Sequence, residues 1–518
     1  MPTTRRTETR LRLADMLAAL SVTTDLGMGN PPEEAIRSCL IGTSLARRLG
    51  LPQADVADVY YTALLMHLGC TATAHEEARY FGGDELASRV PAQRADFGSA
   101  REALGTVLAT GKGRGLRRPA AVVRAMAAGK AVTSGIFRAV CEVGARLAER
   151  LGMGPGVRAG VFQALERWDG KGAPAALAGE QISAASRIAQ VSTQVALFAG
   201  QGVEVVVDMV RRRSGGWFDP RVAERFVADA AEILAEVEPA DAWEAVLEAE
   251  PEPRRAIPEE RLDDVALAFA DFVDLKSPFT LRHSTGVADL AGGAARELGL
   301  RRGEVVRVRR AALLHDLGRV AVSAGIWDRP ATLTTAQREQ VRLHPYHTER
   351  ILARSGALSP LARVAGMHHE RVDGSGYHHG LDGAGLPRAA RLLAAADTYR
   401  AMTEERPHRP PLPPGDAARE LVTEADAGRL DGECVRAVLA AAGEPPPART
   451  SWPAGLSDRE VDVLRLLATG STNREIGRAL YISPRTAEHH VQHIYGKIGM
   501  STRAGAALFA MEHDLIPG

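Results

Sequence analysis

Near the middle of the chain, histidine and aspartate side chains recur in a pattern that could hold two metal ions. They are His283, the pair His315-Asp316, His344, the pair His368-His369, and Asp397. Imidazole and carboxylate groups bind transition-metal ions and leave coordination positions open for water. Two ions about 3.5–4 Å apart can hold both the attacking and the leaving oxygen of a phosphoryl displacement. The pattern therefore predicts a two-metal site that acts on a phosphate ester.

Each of these histidines could instead be an ordinary core residue with satisfied hydrogen bonds. The set as a whole argues against that reading, because two adjacent pairs in apolar segments would bury several polar groups without evident partners. Neighbouring residues on a helix diverge by about 100°, so adjacent ligands suit two ions better than one. Asp316 could then bridge the two ions, with His315 and His369 reaching to either side.

Composition narrows the class of protein. The 518 residues are enough for about three or four domains. Lys+Arg and Asp+Glu both number 64, so net charge gives no sign of a polyanionic partner. The cysteines have no paired spacing, which argues against disulfides and zinc fingers; they are Cys39, Cys70, Cys141 and Cys434. With no secretion signal and no apolar run of about 18 residues, we expect a cytoplasmic protein without a membrane span.

The elements that would position these ligands are helices. Apolar residues recur at helical spacing and strand-like alternation is scarce, which predicts an all-α fold. An acidic, proline-bearing segment and a proline-rich segment read as linkers. The predicted division is a tail at 1–19, a module at 20–235, a linker at 236–259, a second module at 260–442, a linker at 443–454 and a final domain at 455–518.

The first module looks like a degenerate copy of the second. YYTALLMHLGCTA (60–72) echoes RRAALLHDLGRVA (309–321), and similar echoes continue through both modules. The predicted ligands are missing from the first module. His315-Asp316 is replaced by Met66-His67 and His368-His369 by Ala164-Leu165. Asp397 is replaced by Thr193 and His283 by Glu34. A repeat this long indicates duplication of a whole domain rather than a solenoid.

The segments HDLGR, LHPYHTERIL and HHERVDGSGY resemble the HD-GYP branch of the bacterial HD phosphohydrolases. The resemblance implies an all-α domain with two divalent metal ions, such as iron or manganese, that hydrolyses cyclic dinucleotides, mainly cyclic di-GMP. It assigns one ion to His283, His315, Asp316 and Asp397, and the other to Asp316, His344, His368 and His369. Some members bind a third ion through a glutamate at the position of Phe279, so two ions are expected here.

Two positions depart from the family pattern. The family is named for a Gly-Tyr-Pro motif, and this chain has Gly376-Tyr377-His378 at those positions. The family also has a lysine that contacts the scissile phosphate, and this chain has Arg319 there. Arginine can bind phosphate bidentately but does not replace lysine in every geometry. The resemblance implies catalytic roles for Asp316 and Arg319, and substrate contacts from Arg319, Arg371, Asp373, Gly376 and Tyr377. The alternative for DGSG (373–376) is an ordinary turn.

The last domain carries helix-start signals at regular intervals. Ser457 with Glu460 and Thr472 with Glu475 are capping boxes, and Ser483-Pro484 opens a third helix. A fourth helix follows, and the whole segment resembles the LuxR-type DNA-binding domain. The third helix of that family enters the major groove. By position, Glu488, His489 and Gln492 would face bases, while Arg485, Thr486, Lys497, Asn473 and Arg474 would face phosphates.

Two other interpretations of the tail stay open. It could be a small protein-interaction domain, because its acidic and basic residues are about equal in number. The apolar face of AGAALFAMEHDL could form a homodimer, or pack within the domain. The expected partners are double-stranded DNA, a nucleotide and a second copy of the chain.

The whole chain is therefore predicted to be a transcription regulator whose second module is a metal-dependent phosphodiesterase. The alternative is a regulator whose second module binds a nucleotide or phosphate without turnover. We also hypothesise that the first module packs on the second as a pseudo-dimer and regulates it.

Overall fold

The structure is a computed structural model that describes residues 11–80, 83–99, 101–103, 105–106, 118–237, 241–444, 452–480, 482–513 and 515. For 118–133 and 458 only the backbone is described. Most of the predicted linker at 443–454 and residues 1–10 of the predicted tail lie outside these ranges. No helix within them is long and apolar enough to cross a membrane.

The chain is all-α, as predicted. The first module contains α1 Leu13–Met28, α2 Glu34–Arg48, α3 Gln53–Leu65, α4 Ala74–Tyr80, α5 Glu85–Arg94, α6 Arg118–Arg150, α7 Pro155–Phe162, α8 Ala184–Phe198, α9 Val203–Arg213 and α10 Pro220–Glu236. A connecting segment carries α11 Ala242–Ala249. The sheet in the described part of the chain is one antiparallel pair, β1 Leu11–Arg12 with β2 Ala256–Ile257.

The second module and the tail continue the helical series. The second module contains α12 Leu262–Asp274, α13 His283–Glu297, α14 Arg302–Leu314, α15 Ala324–Trp327, α16 Thr335–Arg342, α17 His344–Arg354, α18 Ser359–Gly366, α19 Arg388–Thr403, α20 Pro414–Asp426 and α21 Gly432–Ala441. A short 3-10 helix, Leu317–Ala321, lies between α14 and α15. The tail contains α22 Asp458–Ala468, α23 Asn473–Ala479, α24 Pro484–Ile498 and α25 Arg503–Glu512.

Two predicted boundary segments are part of the folded body. The predicted tail at 1–19 includes the first turns of α1, which begins at Leu13 and is buried nearly throughout. The predicted linker at 236–259 includes α11 and β2, and the side chains of Trp243 and Val246 are buried. Both segments carry apolar side chains, and packing against the neighbouring helices removes these side chains from water, which stabilises the fold.

The two modules repeat each other in three dimensions as well as in sequence. Asp25 at the end of α1 accepts a hydrogen bond from the backbone N–H of Ala35 in α2 (3.1 Å). In the same way, Asp274 at the end of α12 accepts one from Ser284 in α13 (3.0 Å). This register places Glu34 and His283 at the same first position of their helices. The helix that carries the first ligand in the second module therefore exists in the first module without it.

One continuous apolar core runs through both modules. It includes Leu17 and Ile41 from the first module and Phe269 and Leu393 from the second. The tail has a core of its own, built from residues such as Leu464, Ile476 and Ile494. The first two modules thus form one packed unit, which is the arrangement that the pseudo-dimer hypothesis requires.

Candidate metal centre and DNA-binding surface

Five separate elements bring the predicted metal ligands to one place. His283 opens α13, His315 and Asp316 follow the end of α14, and His344 opens α17. His368 and His369 come directly after α18, and Asp397 lies on α19. Ligands at helix ends can project into a common cavity without interrupting the helices that hold them.

The two carboxylate oxygens of Asp316 face different groups of histidines. Oδ2 lies 3.7 Å from His283 Nε2 and 3.5 Å from His315 Nε2. Oδ1 lies 3.4 Å from His344 Nε2 and 3.6 Å from His368 Nε2. Asp316 thus stands between two sets of nitrogen ligands, one on each oxygen. A carboxylate in this position could bridge two metal ions, which is the role that the sequence analysis predicts for Asp316.

Each set is completed by one further residue. Asp397 Oδ1 lies 3.2 Å from His283 Nε2 and 3.7 Å from His315 Nε2. His369 joins His344 and His368, and ligand atoms of these three side chains lie within 4.8 Å of one another. The seven predicted ligands therefore divide into two clusters that share Asp316.

Backbone carbonyls fix the orientation of three of these histidines. Nδ1–H of His315 donates to Ala312 O (2.7 Å), and that of His368 donates to Ala365 O (2.8 Å). His344 makes the same contact with the carbonyl three residues before it (2.6 Å). A proton held on Nδ1 leaves the Nε2 lone pair free to bind a metal.

The protonation states also suit metal binding. Burial is the main cause that lowers the pKa of His315 and His369, and it lowers the pKa of His368 to about 3, so these rings are neutral at physiological pH. Burial would raise the pKa of Asp316, but the neighbouring histidines and Arg319 outweigh it and hold it well below its usual value.

One buried nitrogen is left unsatisfied in this cluster. His315 Nε2 is inaccessible to water and has no hydrogen-bond partner among the described residues. A buried polar atom without a partner is costly, and a metal ion would satisfy it. The donor set, the neutral rings of His315, His368 and His369, and this unsatisfied nitrogen all fit divalent metal ions.

Two charged residues that the sequence analysis did not identify complete the site. Glu404 Oε2 accepts a hydrogen bond from His283 Nδ1 (2.7 Å), and it also accepts one from Arg406 (3.0 Å). Burial would lower the pKa of His283, but Asp397 and Glu404 outweigh it and raise the pKa to about 9. Glu404 lies seven residues, about two helical turns, after Asp397; this spacing was the available signal.

Arg319 is fixed beside the centre by an aromatic ring. Its guanidinium donates to Asp316 Oδ2 (3.1 Å) and lies 3.9 Å from the ring centroid of Trp327. The indole N–H of Trp327 donates in turn to Arg319 O (3.2 Å), and its ring meets that of His344 edge-on. The guanidinium of Arg319 is thus fixed next to Asp316.

The predicted substrate loop is only partly directed at the centre. Tyr377 stacks on His369, with 4.9 Å between ring centroids. Gly376 approaches so closely that an added Cβ would lie 2.4 Å from Arg371 N. Asp373, however, is used within the loop, where it accepts hydrogen bonds from the backbone and hydroxyl of Ser375. Asp373 therefore behaves as a residue of an ordinary turn, whereas Tyr377 packs against His369, a predicted metal ligand.

Arg371 is also engaged by the backbone. Its guanidinium donates to Glu370 O (2.9 Å) and, at 3.5 Å, to His368 O. The Glu370 carboxylate accepts from the backbone N–H groups of His379 (2.7 Å) and Leu381 (3.1 Å), and so holds the loop against the ligand segment.

The matching place in the first module is filled by small hydrogen-bonded side chains. Thr193 donates to Met66 Sδ (3.7 Å), and its hydroxyl lies 3.0 Å from that of Ser38. Burial lowers the pKa of His67 to about 4, so this remaining histidine is neutral. The loop scaffold nevertheless survives, because Glu166 accepts from Ala175 N as Glu370 does from His379 N. The first module keeps the shape of the site without its ligands.

The tail is a four-helix unit with the predicted caps. Ser457 with Glu460 and Thr472 with Glu475 form capping boxes, and Ser483 caps α24. The exposed residues of the predicted DNA-binding set are Arg474, Arg485, Thr486, Glu488, His489, Gln492 and Lys497, while Asn473 is half-buried. Lys497 is already engaged, since its ammonium donates to Glu460 Oε2 (2.6 Å) and Gly455 O (3.1 Å).

Comparison with protein families gives two matches. Residues 268–434 match the HD domain, and residues 454–510 match the luxR family of bacterial regulatory proteins. These matches confirm both resemblances predicted from the sequence.

Individual relatives extend the first match. A 3′3′-cGAMP-specific phosphodiesterase of Vibrio cholerae is 30% identical over 446 residues, which are 85% of this chain and 97% of that protein. A cyclic di-GMP phosphodiesterase of Thermotoga maritima is 38% identical over 31% of this chain and 44% of its own length. A crystal structure of a cyclic GMP-AMP specific phosphodiesterase of Vibrio cholerae has a TM-score of 0.58 at 28% identity, covering 84% of this chain and 99% of that one. The alignment with the first of these relatives covers more residues than the segment 260–518 contains, so it extends into the first module.

Proposed function

We propose that this chain, which belongs to the HD family of metal-dependent phosphodiesterases, hydrolyses a cyclic dinucleotide in its second module and binds DNA through its tail. The observation that carries the proposal is the position of Asp316, whose two oxygens face two sets of imidazole nitrogens. One metal ion would be held by His283, His315, Asp316 and Asp397, and the other by Asp316, His344, His368 and His369. When bound, such ions would polarise the phosphodiester and activate water.

The protein's own side chains bind and orient the phosphate. Arg319 lies beside Asp316 with its planar group held against Trp327, so little side-chain entropy is lost when it contacts an anion. Arg406 adds a second, half-buried cation, and desolvation together with the charge of Arg319 lowers its pKa. Two fixed positive charges at this place would offset the negative charge that develops on the phosphate oxygens.

The proposed substrates are 3′3′-linked cyclic dinucleotides, with 3′3′-cGAMP the first to test. The relative specific for that nucleotide matches along nearly its whole length, whereas the cyclic di-GMP relative matches over less than half of its own. Arg319, in place of the family's lysine, lies next to Asp316, and His378, in place of its proline, follows Tyr377 in the predicted substrate loop. They support a preference that differs from that of the cyclic di-GMP enzymes.

A second candidate function is nucleotide sensing without turnover. It is favoured by the same two departures from the family pattern, Arg319 and His378. Nucleotide sensing also fits the fusion to a DNA-binding tail, because a bound nucleotide could alter DNA binding without being hydrolysed. The complete ligand set favours hydrolysis.

The experiment that decides between them is a hydrolysis assay on the full chain with 3′3′-cGAMP, cyclic di-GMP and linear dinucleotides. Asp316→Ala should abolish turnover and lower bound metal, while Asp289→Ala, an exposed carboxylate on α13, should change neither. Metal-bound protein that binds a nucleotide but forms no product would establish the sensor. Unchanged turnover in Asp316→Ala would refute the site itself.

The remaining functional proposals concern assembly. Leu508 (49% exposed) and Met511 (65% exposed) lie one turn apart on α25, and they support a homodimer of the tail. Met511→Asp should abolish dimers in sedimentation and weaken DNA binding if this face is the interface. We also propose that the first module regulates the second through the contacts they share.

A further inference from the structure

A second group of metal-binding side chains lies outside the seven-ligand centre. Glu349 on α17 and the adjacent pair His378-His379 on the substrate loop bring their ligand atoms within 4.8 Å of one another. Glu349 Oε2 lies 2.7 Å from His379 Nε2 and 3.4 Å from His378 Nε2. The Nε2 atoms of both rings are thus directed towards one carboxylate oxygen.

The group is partly open to water and partly buried. The side chains of His378, Glu349 and His379 are 17%, 25% and 35% exposed. His378 Nδ1 is buried and has no hydrogen-bond partner among the described residues. A site of this kind has side-chain donors on the protein side and access for an ion and its water on the other.

We propose that Glu349, His378 and His379 form a third metal site that takes a zinc-like transition-metal ion. Two imidazoles and one carboxylate are a donor set that binds Zn²⁺ and leaves a fourth position for water. Imidazole nitrogen selects zinc, nickel or copper over magnesium and calcium, which prefer oxygen ligands. To admit an ion at the usual bond length of about 2.0–2.2 Å, the contact between Glu349 and His379 would lengthen from 2.7 Å, whereas the 3.4 Å between Glu349 and His378 already suits two ligands of one ion.

The site joins two parts of the catalytic module. Glu349 belongs to the helix that His344 opens, and His378 follows Tyr377, which stacks on His369. An ion held here would tie the substrate loop to that helix. The loop is also held to the segment of His368 and His369 by Glu370, whose carboxylate accepts from the backbone N–H of His379, and by the backbone N–H of Tyr377, which donates to His369 O (3.2 Å).

This chelating pair belongs to the second module alone. Glu166 holds Ala175 in the first module as Glu370 holds His379 in the second, so Pro174 and Ala175 occupy the positions of His378 and His379. Neither residue can bind a metal through its side chain. The loop scaffold therefore does not need two histidines for its own geometry, which leaves them available for an ion.

The test uses the full chain dialysed against micromolar Zn²⁺ with a weak competing chelator, followed by elemental analysis. His379→Ala and Glu349→Gln should each hold one zinc fewer per chain than the unaltered protein. His408→Ala removes an exposed histidine of the same module and should lose none. Equal zinc in all four proteins would overturn the proposal and leave Glu349 and His379 as a hydrogen-bonded pair.

A second comparison separates this site from the dinuclear centre. In an Asp316→Ala background the difference of one zinc between Glu349→Gln and its parent should persist. Loss of that difference would mean that the extra ion depends on the main centre, and would overturn a separate site. Glu349→Gln keeps the shape of the side chain, and a thermal melt of each variant identifies any that has unfolded.

Discussion

Glu85 of the first module and Lys276 of the second form an ion pair of 2.8 Å in which both side chains are almost completely buried. The same carboxylate accepts hydrogen bonds from Ser323 Oγ (2.6 Å) and from Ala324 N (2.8 Å), which open helix α15. Trp327 ends that helix and holds Arg319. One residue of the degenerate module therefore supports the element that positions a predicted catalytic arginine.

Glu85→Gln should lower the free energy of unfolding by about 3–5 kcal/mol, because it leaves the ammonium of Lys276 buried without its counter-charge. Chemical denaturation of the full chain would measure the effect. Glu76→Gln, an exposed carboxylate on α4, serves as the control and should stay within about 0.5 kcal/mol of the parent. A loss no larger than that of the control would show that the pair does not hold the modules together.

The same pair predicts a specific acid sensitivity. Burial would raise the pKa of Glu85, but the charge of Lys276 and the hydrogen bonds from Ser323 and Ala324 lower it from its ordinary 4.5. A carboxyl with a lowered pKa in the folded state contributes stability above its unfolded pKa and loses it as the pH falls through its folded value. Stability of the parent should therefore fall more steeply below pH 4.5 than that of Glu85→Gln. Parallel curves would contradict the prediction.

Trp327→Ala should lower kcat/KM by roughly tenfold, which corresponds to about 1.4 kcal/mol of lost positioning of Arg319. Bound metal should be unchanged, since Trp327 offers no ligand. Steady-state kinetics with metal analysis on the same sample would measure both quantities. Trp327→Phe retains a ring and should recover part of the loss. If metal falls in proportion to activity, Trp327 acts through His344 rather than through Arg319.

Glu404→Gln should reduce metal affinity or activity by about 10- to 100-fold, because its carboxylate orients His283 and increases its basicity. The neighbouring Glu405 is exposed, and Glu405→Gln is a matched control that should behave like the parent. Metal titration monitored by calorimetry would give the affinities. Equal affinities in the two variants would remove Glu404 from the site.

Replacements in the tail should separate base contacts from phosphate contacts. Arg485→Ala should weaken DNA binding on every sequence and reduce the salt slope by about 1, whereas Gln492→Ala should cost about 1–3 kcal/mol at one base pair. Lys497→Met should mainly destabilise the tail, because Lys497 is bonded to Glu460. Binding measured over a range of salt would distinguish the three. A lowered salt slope in Lys497→Met would restore its predicted phosphate contact.

The sequence alone was sufficient for the all-α class and for the helix caps of the tail, and it supplied the predicted ligand set. The reason is that these properties are local. Helical periodicity, the Ser457–Glu460 box and the pairs His315-Asp316 and His368-His369 each depend on a few neighbouring residues. The loss of ligands in the first module could also be predicted from the sequence, because the two modules can be aligned with each other.

Only the tertiary structure revealed the residues that act across long separations in the chain. Glu404 beside His283, Glu85 beside Lys276 and Glu349 beside His379 are contacts whose partners have no fixed spacing in sequence. It likewise showed Lys497 bonded to Glu460 within the tail. The sequence does not distinguish a charged side chain that is solvated from one that is paired or bound to an ion. Packing decides which of these states it occupies, because burial makes an unpaired charge too costly to keep.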